Sequence, residues 1–400
     1  MDLTARRRAF PALDQRAHGQ RLAYLDAAAT SLQPRVVIDA VVDAALHAAG
    51  NPGRGVHLLA EAASVALDDA RHEVARFLGA DADEVVFTSG TTASINLVAD
   101  AWGRANLGPG DAVIATELEH HSNLVPWQRL CAERGAELRI APVDEDGRID
   151  LAALDALLDS KVKLVAVAHV SNVLGTIAPV AAIAARAHAV GARVLVDGAQ
   201  AVAHLEIDVR ALGCDFYAFS GHKLYGPPGT GVLWARRAIL DAMPPWQVGG
   251  GMVARVDRAH ARYREPPYRF EAGTPNTTGL IGLGAAIRFV RSLDRAAVAA
   301  DEARVHAAIA RAVQAADGTI LGRPEVGVVS FALGRVHPHD VATIADQAGV
   351  ALRSGHHCAE PIHHRHGVDA STRASIGCYS DDDDVAQLAR ALARVREVFG

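Results

Sequence analysis

Cysteine is rare in this 400-residue sequence, and lysine is so scarce that most basic residues are arginines. The four cysteines are Cys131, Cys214, Cys358 and Cys378, and no two of them form a C-x-x-C pair. This spacing excludes a disulfide framework, which needs many cysteines in a small secreted chain. We therefore expect a protein of a reducing compartment, the cytoplasm, in which most of these thiols are buried small side chains.

Long apolar runs and a strong charge bias are also missing. No run of 18 apolar residues occurs, so no membrane-spanning helix is predicted. The formal net charge of −6 argues against a nucleic-acid partner held by a basic surface. Residues 7–10 (RRAF) match a twin-arginine export signal superficially, but polar residues follow where an apolar segment should stand. A hydrophobic fraction of 50% predicts an ordinary globular protein, long enough for more than one domain.

Short apolar runs alternate with helical stretches over most of the chain. The strand candidates are EVVFTS, AVIATE, AELRIAPV, LVAVAHVS, RVLVDGA, FYAFSG and GVLWA. Helix-like segments such as SINLVADAWGRAN, NLVPWQRLCAERG and VAAIAARAHAVG lie between several of them. This alternation predicts an α/β fold with a mainly parallel seven-stranded sheet, covered on both faces. The large domain is predicted to span residues 20–284.

The pattern changes after about residue 284. Helical stretches (AAIRFVRSL and DEARVHAAIARAVQAA) lead into the strand candidates GVVSFAL and GVALRS. In the final segment, SDDDDVAQLARALARVREVF, Ser380 or Asp381 is predicted to cap a helix whose first turn carries the other acids. This interpretation is favoured over a metal site. We expect a smaller C-terminal α+β domain over residues 285–400, to which an N-terminal segment, 1–19, joins.

Lys223, in FYAFSGHKLYGPPGTGVL, is the strongest indication of chemistry. It lies in a turn directly after an apolar strand, and Gly226, Pro227 and Pro228 form a rigid exit. Burial there would lower the pKa of the amine and allow it to form a Schiff base. The alternative is an ordinary surface lysine on a loop.

Three further features surround this lysine in the predicted fold. Asp197 ends an apolar strand, where α/β proteins bind ligands, and pyridoxal phosphate (PLP) needs such an acid to keep its pyridine nitrogen protonated. Thr91 and Thr92 open a helix, where they would bind phosphate or simply cap the helix. His120 follows a strand, where it would stack on a cofactor ring or belong to the core or the surface.

The segment RSGHHCAEPIHHRHGVDA, residues 353–370, packs one cysteine and five histidines into a short span. It fits either a zinc site or a loop that carries a single reactive thiol. Zinc needs three or four ligands in a fixed geometry, and no paired half-site occurs elsewhere in the chain. The second interpretation is therefore favoured, with His363, His364 and His366 as exposed residues of a short helical turn.

These motifs, in this order, resemble cysteine desulfurases of the SufS type (group II), in the class-V aminotransferase family of fold-type I PLP enzymes. The similarity runs from YLDAAAT, at Tyr24, to the final helix. It rests on TSGTT, ELEHHSNLVPW, HVSNVLGT, VDGAQA, SGHKLYGP, FEAGTPN and RSGHHCAEP. The series is highly specific, although no single motif is. It implies the fold-type I PLP-dependent transferase fold, PLP as cofactor, L-cysteine as substrate and a homodimer.

The resemblance also assigns roles to single residues. Lys223 would form the Schiff base, Asp197 would pair with the pyridine nitrogen, and Gln200 with the ring hydroxyl. His120 would stack on the ring and assist proton transfer. The other expected contacts are Thr91, Thr92, Ser220 and His222 around the phosphate, Thr274 reaching the phosphate of the neighbouring subunit, Asn172 at the substrate or ring, and Arg373 on the substrate carboxylate.

Cys358 would be the nucleophile. Its thiolate would attack the sulfur of the bound L-cysteine, giving a persulfide on Cys358 and L-alanine. Only the deprotonated thiol reacts, and His356 or His357 would favour that form. The persulfide sulfur would then serve iron–sulfur cluster assembly, as in the SUF system.

Two positions depart from the family pattern. In NPGRGVH, Gly53 stands where family members often carry a histidine, next to the substrate contacts expected from Arg54 and His57. In GTPNTTGL, Thr278 stands where a glycine is common.

GRVHPHDVATIAD contains a histidine pair that points to a partner. The plain interpretation is a polar loop that opens a helix, with Asp340 near the cap. In relatives that work with a zinc-bearing SufU-type sulfur acceptor, a histidine of an HPHD run takes over a zinc ligand position when the acceptor docks. His339 matches that histidine, which implies a SufU-like partner rather than a SufE-like one.

Other functions remain compatible with parts of the sequence. Selenocysteine lyase activity, on L-selenocysteine, is shared by many desulfurases of this type. Kynureninase- or epimerase-like chemistry uses the same scaffold but does not need Cys358. A zinc-binding scaffold protein built around the histidine cluster is the alternative from another class.

Overall fold

The computed structural model describes residues 1–53 and 55–400. The strands in chain order are β1 (Arg16–Ala17), β2 (Gln20–Arg21), β3 (Ala23–Tyr24), β4 (Val85–Thr88), β5 (Ala112–Thr116), β6 (Glu137–Ala141), β7 (Val162–Ala168), β8 (Arg193–Asp197), β9 (Phe216–Ser220), β10 (Gly231–Ala235), β11 (Val253–Val256), β12 (Ala261–Tyr263), β13 (Thr319–Ile320), β14 (Val328–Ala332), β15 (Val350–Ala351), β16 (Arg353–Gly355) and β17 (Ser371–Ser375).

The α-helices are α1 (Leu3–Arg8), α2 (Arg35–His47), α3 (Leu58–Leu78), α4 (Thr91–Leu97), α5 (Arg104–Asn106), α6 (Val125–Arg134), α7 (Leu151–Leu157), α8 (Val180–Ala189), α9 (Ala201–His204), α10 (Val209–Leu212), α11 (Arg237–Ala242), α12 (Thr277–Ser292), α13 (Arg295–Ala315), α14 (Pro338–Gln347), α15 (Glu360–Arg365) and α16 (Asp382–Phe399). A π-helical stretch, Val98–Gly103, joins α4 to α5. None of the described helices is long and apolar enough to cross a membrane.

The central sheet of the large domain contains the predicted strands in the order β4–β10–β9–β8–β7–β5–β6. Only β10 is antiparallel to its neighbours, and the other pairs are parallel. Side chains alternate between the two faces of a strand. Accordingly, Val194 and Val196 pack into one core cluster and Leu195 into another, on the opposite face. The sheet is buried on both faces, as the apolar strands predict.

The predicted helices between the strands are present. NLVPWQRLCAERG forms α6, which ends at Gly135 in the left-handed conformation (φ 69°) that glycine adopts without strain. VAAIAARAHAVG forms α8. SINLVADAWGRAN forms the continuous helical stretch from α4 to α5.

The smaller C-terminal domain is built on the antiparallel sheet β13–β14–β17–β16. Its core cluster packs α13, α14 and α16 against this sheet. Asp381 caps α16: its side chain accepts from the backbone N–H of Asp384, and the Asp384 side chain accepts from that of Asp381. Arg21 forms ion pairs with both carboxylates. The capping interpretation of the aspartate run is confirmed.

The strand prediction for GVALRS is only half right. The segment divides at Leu352: β15 pairs in parallel with β3, and β16 pairs with β17. The strand that pairs with this segment changes at Leu352, because β3, from the N-terminal segment, lies alongside β15. The domain limits 20–284 and 285–400 stay a prediction, and α12 runs through the predicted border.

Candidate active site

A cavity of about 530 Å³ lies where the carboxyl ends of the central strands meet the C-terminal domain. Strands β7, β8 and β9 end at it with Ala168, Asp197 and Ser220. Such strand ends are the usual ligand-binding edge of an α/β sheet. Of the predicted site residues, the cavity is lined by Thr91, Thr92, His120, Asn172, Asp197, Gln200, Ser220, His222, Lys223, Cys358 and Arg373.

Lys223 and Asp197 form the floor of the cavity. Asp197 ends β8, is 6% exposed and accepts from the backbone N–H of Ala199 at 2.9 Å. Lys223 follows the neighbouring strand β9 in a 3₁₀ turn that begins at Gly221. A Cβ at Gly221 would lie 2.2 Å from the Thr230 hydroxyl, so the turn requires glycine. Burial lowers the pKa of the Lys223 amine to about 8, against the opposing effect of the Asp197 charge; an amine with a lowered pKa is a better nucleophile at neutral pH.

Hydroxyl groups cluster at the start of α4. The Ser220 Oγ accepts from the backbone N–H of Thr91 at 2.8 Å and lies 2.7 Å from the Thr91 Oγ1. The Thr92 Oγ1 lies 2.7 Å from the Ser122 Oγ. These hydroxyls, next to the first amide groups of a helical stretch, can donate to a phosphate.

His120 is neutral at physiological pH. Burial, followed by the Lys223 charge, lowers the pKa of its imidazole to about 3. Its Nδ1 accepts from the backbone N–H of Ser122 at 3.1 Å, so the single ring proton is on Nε2. The ring can therefore donate a hydrogen bond through Nε2.

Glu119 precedes His120 and was not predicted from the sequence. Its side chain is 0% exposed and accepts from the Thr116 hydroxyl at 2.6 Å, the Asn123 amide at 2.5 Å and the backbone N–H of Ala168 at 3.1 Å. Burial raises the pKa of this carboxyl group to about 8. The carboxyl group links the ends of β5 and β7 beneath His120. The signal in the sequence is an acid three residues after the end of a buried strand, in TELEHH.

Arg373 enters the cavity from β17 of the C-terminal domain and is 2% exposed. Its Nη1 donates to the Asn172 carbonyl at 2.9 Å, and its Nη2 lies 3.4 Å from the Asp26 carboxylate. The Nε is buried with no hydrogen-bond partner among the described residues. Burial lowers the pKa of the guanidinium to about 10. A buried cation with an unused donor is suited to an anionic group such as a carboxylate.

Cys358 lies on a tight loop between β16 and α15. It is the exposed cysteine of the chain, whereas Cys131, Cys214 and Cys378 are buried, as predicted. His357 and Cys358 both have left-handed backbones, with φ values of 50° and 55°, a conformation that strains residues other than glycine. Two hydrogen bonds hold them: the Asn172 amide donates to the His357 carbonyl, and the His121 N–H donates to the Cys358 carbonyl, each at 2.7 Å.

Comparison with known proteins places this geometry in a family. The family model for Aminotransferase class-V matches residues 23–388. A cysteine desulfurase of Dickeya dadantii (strain 3937) is 48% identical over 395 residues, which cover 98% of this chain and 96% of the relative. The chain belongs to the class-V aminotransferase family.

Two solved structures extend the comparison with this family. The crystal structure of the cysteine desulfurase CsdA (S-sulfonic acid) from Escherichia coli has a TM-score of 0.92 at 36% identity, covering 100% of this chain and 99% of CsdA. The apo cysteine desulfurase of Thermococcus onnurineus NA1 has a TM-score of 0.93 at 37% identity, covering 98% and 97% of the two chains. The class-V fold is therefore confirmed, and its cofactor is PLP.

The residues of the cavity fit PLP. A partly buried amine, Lys223, and a buried carboxylate, Asp197, line the same floor, and the hydroxyl groups of α4 and Ser220 form one corner. Gln200 lines the cavity while its Nε2 donates to the Ala28 carbonyl at 2.8 Å. Burial lowers the pKa of His222, which also lines the cavity, to about 4, so its ring is neutral.

The histidines after Cys358 differ from the sequence prediction. The short helix is present as α15, and His364 is exposed as predicted, but His366 is only partly exposed and His363 is 0% exposed. The prediction for His363 was wrong because its two ring nitrogens are satisfied inside the protein, at the Ala359 carbonyl (2.9 Å) and the Ser371 hydroxyl (3.0 Å). No group of three metal-binding side chains occurs among the described residues.

His357 is also buried, at 8% exposed. Burial, followed by the Arg373 charge, lowers the pKa of its imidazole to about 2. Of the two histidines expected to favour the Cys358 thiolate, His357 therefore brings no positive charge.

Three of the predicted site residues that the structure describes do not line the cavity formed by this chain. His57 caps α3, where its Nδ1 accepts from the Ala60 N–H at 3.4 Å. Thr274 and His339 are exposed, and none of these three lines the cavity. Arg54 lies outside the described residues. Their roles stay predictions.

Proposed function

We propose that the chain is a cysteine desulfurase that moves the sulfur of L-cysteine onto Cys358. The observation that carries this proposal is the placement of the exposed thiol: Cys358 lines the same cavity as the Lys223 amine and the Arg373 guanidinium. A nucleophile, a cofactor-binding amine and a carboxylate-binding cation are then within one substrate-sized space.

The cofactor would be held by the floor of the cavity. Lys223 would bind it covalently, Asp197 would pair with its pyridine nitrogen and Gln200 with its ring hydroxyl, while Thr91, Thr92, Ser220 and His222 would surround its phosphate. When bound, PLP supplies an electron sink for the carbon atoms of the substrate. The buried position of Asp197 strengthens its interaction with a protonated nitrogen, since charges attract more strongly away from water.

Arg373 and His120 would act on the substrate. The guanidinium of Arg373, which lines the cavity, would bind the carboxylate of L-cysteine, with Asn172 beside it. The neutral His120 ring would move a proton at its Nε2, because its Nδ1 is occupied by the Ser122 N–H.

Cys358 would take the sulfur. Its thiolate attacks the substrate sulfur, an S–S bond forms, and the bond between the substrate sulfur and its carbon breaks. The electron pair of the broken bond stays with the substrate carbon, which is protonated to give L-alanine. The enzyme is left with a persulfide on Cys358.

Two variants test the assignment. Lys223→Ala should abolish the visible absorption of the lysine-bound cofactor together with turnover. Cys358→Ser should keep the absorption and lose persulfide and sulfide production from L-cysteine, since a hydroxyl is a far weaker nucleophile than a thiolate. Buried Cys214→Ser is the matched control. Normal turnover in Cys358→Ser would overturn the proposal.

The chain is also proposed to act as a homodimer. Apolar side chains on α2 and α3 are more than half exposed, namely Val36, Val42, Leu46, Leu58 and Val65, and burying them would be favourable. Thr274, the residue expected to reach the neighbouring subunit, is exposed and outside its own cavity. Sedimentation equilibrium should give twice the chain mass of 42.0 kDa. A monomer at working concentrations would contradict it.

For the sulfur acceptor, we propose a zinc-bearing SufU-like protein that meets His339. This histidine is exposed in the first turn of α14. Helix α14 lies next to β17, since the Thr372 hydroxyl is 3.4 Å from the Pro338 carbonyl, and β17 pairs with β16, the strand that leads into the Cys358 loop. A sulfur-transfer assay should show stimulation by a SufU-type acceptor, reduced in His339→Ala and retained in the exposed-histidine control His364→Ala. Equal stimulation by a SufE-type acceptor would refute this choice.

A further inference from the structure

A buried hydrogen-bonded chain of three side chains lies behind the Cys358 loop. The Ser371 hydroxyl of β17 lies 3.0 Å from the Nε2 of His357 and 3.0 Å from the Nε2 of His363. His363 continues the chain through its Nδ1, 2.9 Å from the Ala359 carbonyl. All three side chains are less than a tenth exposed, and His357 also lines the cavity.

The pattern of donors and acceptors fixes the protonation of each ring. A carbonyl only accepts, so the His363 Nδ1 must donate to Ala359, and its Nε2 in the neutral ring is an acceptor. Ser371 therefore donates its hydroxyl proton to His363, and its oxygen accepts from His357. His357 thus carries its proton on Nε2 and a lone pair on Nδ1. That Nδ1 is buried without a hydrogen-bond partner among the described residues.

This hydrogen-bonded network adjoins a strained segment of backbone. His357 and Cys358 have consecutive left-handed conformations (φ 50° and 55°), which persist only when the surroundings hold them. The backbone is held by Asn172 and His121 through two carbonyl groups. Among the described residues, one side-chain hydrogen bond joins this loop to β17, the one from His357 to Ser371. The carbonyl of Ala359, the next residue, accepts the hydrogen bond at the other end of the same network, from His363.

We propose that Ser371 and His363 are positioning residues for the nucleophile: they orient His357, and through it they hold the left-handed backbone that presents the Cys358 thiol to the substrate sulfur. This rests on the proposed role of Cys358 as nucleophile. Neither residue needs to touch the substrate. Substitution of either residue should slow the sulfur-transfer step, because other residues make the contacts to the substrate carboxylate and to the cofactor.

The holoenzyme with Ser371→Ala tests the proposal. We expect kcat for persulfide formation to fall about tenfold, the rate equivalent of one lost buried hydrogen bond. KM for L-cysteine should change by less than about twofold, since substrate binding is untouched. The cofactor absorption should stay at the wild-type value. Ser380→Ala is the matched control, because Ser380 is another buried serine, 3% exposed, whose hydroxyl accepts from Gly377 away from the loop.

A second pair of variants separates positioning from general damage. His363→Gln keeps an oxygen that can accept from Ser371 and should retain more than about half of kcat, whereas His363→Leu should match Ser371→Ala. The Ser371→Ala/His363→Leu double variant should lose little more than either single variant, as expected for residues of one network. In each variant, the rate of Cys358 alkylation by iodoacetamide should change with kcat.

Several outcomes would overturn the proposal. These are an unchanged kcat in Ser371→Ala, a His363→Gln variant as slow as His363→Leu, or an equal loss in Ser380→Ala together with loss of cofactor absorption. Turnover in Cys358→Ser would instead remove the function on which the proposal rests, so the two failures are distinguishable.

Discussion

The floor and the wall of the cavity are built in different ways. The floor carries Lys223 and Asp197 at the ends of two parallel strands inside a sheet that is buried on both faces. The wall carries Arg373 on an inner strand of the antiparallel sheet of the C-terminal domain and Cys358 on a strained loop. The two parts differ in exposure: burial shifts the pKa values of the floor groups, whereas the Cys358 thiol is exposed, as its proposed role in sulfur transfer requires.

Substitutions on the floor of the cavity should lower activity more than substitutions on its wall. Asp197→Asn is expected to lower kcat by roughly a hundred- to a thousandfold, since it removes the charge that we propose keeps the cofactor nitrogen protonated. Steady-state kinetics and the cofactor spectrum provide the measurement. Asp215→Asn is the control: Asp215 is equally buried, but it pairs with Arg193 at the opposite end of the sheet. Similar losses in both variants would contradict a special role for Asp197.

Arg373→Lys, on the wall of the cavity, should weaken the binding of L-cysteine. Lysine cannot reproduce the planar fork of arginine, so KM for L-cysteine should rise roughly ten- to a hundredfold with a smaller change in kcat. Arg353→Lys, on the same wall with its side chain 48% exposed, should change KM much less. A kcat loss without a KM change would show that Arg373 does not bind the carboxylate.

The pH dependence of PLP uptake tests whether the Lys223 amine on the floor is buried. The Lys223 pKa is lowered from 10.5 to about 8 by burial, and only the neutral amine attacks an aldehyde. The uptake rate of PLP by cofactor-free protein should therefore rise with pH, with a midpoint near 8. Asp197→Asn should move the midpoint lower, because the Asp197 charge raises the Lys223 pKa. A midpoint near 10.5 would mean that the amine is not buried.

The smallest effect is expected far from the cavity. Asp381→Ala removes the N-cap of α16 and should lower the free energy of unfolding by about 1 kcal/mol, with kcat unchanged. Denaturant unfolding measures this change. Asp383→Ala, in the same helical turn but not at the cap, should cost only a few tenths of a kcal/mol. Equal effects of the two variants would show that general helix charge, rather than the cap, stabilises α16.

Sequence patterns predict the floor better than the wall. The apolar strands of the central sheet are recognisable, and two of them carry Asp197 and Lys223 to the same edge. By contrast, β17 reads STRAS, with no apolar run, and yet every residue of it is buried. Its polar groups are satisfied by specific partners on other elements, such as Asn172 for Arg373 and His363 for Ser371. No apolar pattern reveals partners of this kind. The burial of His363 and Glu119 was missed because polar side chains like these are buried only through specific hydrogen bonds, which hydrophobic periodicity does not report.

Strand β17 also sets a limit on how this enzyme can change. Ser371, Arg373 and Ser375 share one face of the strand, because side chains repeat every second residue. They contact, in turn, the histidines behind the thiol, the Asn172 loop and the Ala28 N–H of the N-terminal segment. A single inserted or deleted residue within β17 would turn the residues beyond it to the opposite face, so the three side chains could not all keep these contacts. Length variation is therefore expected in the loops on either side of β17, and substitutions alone within it.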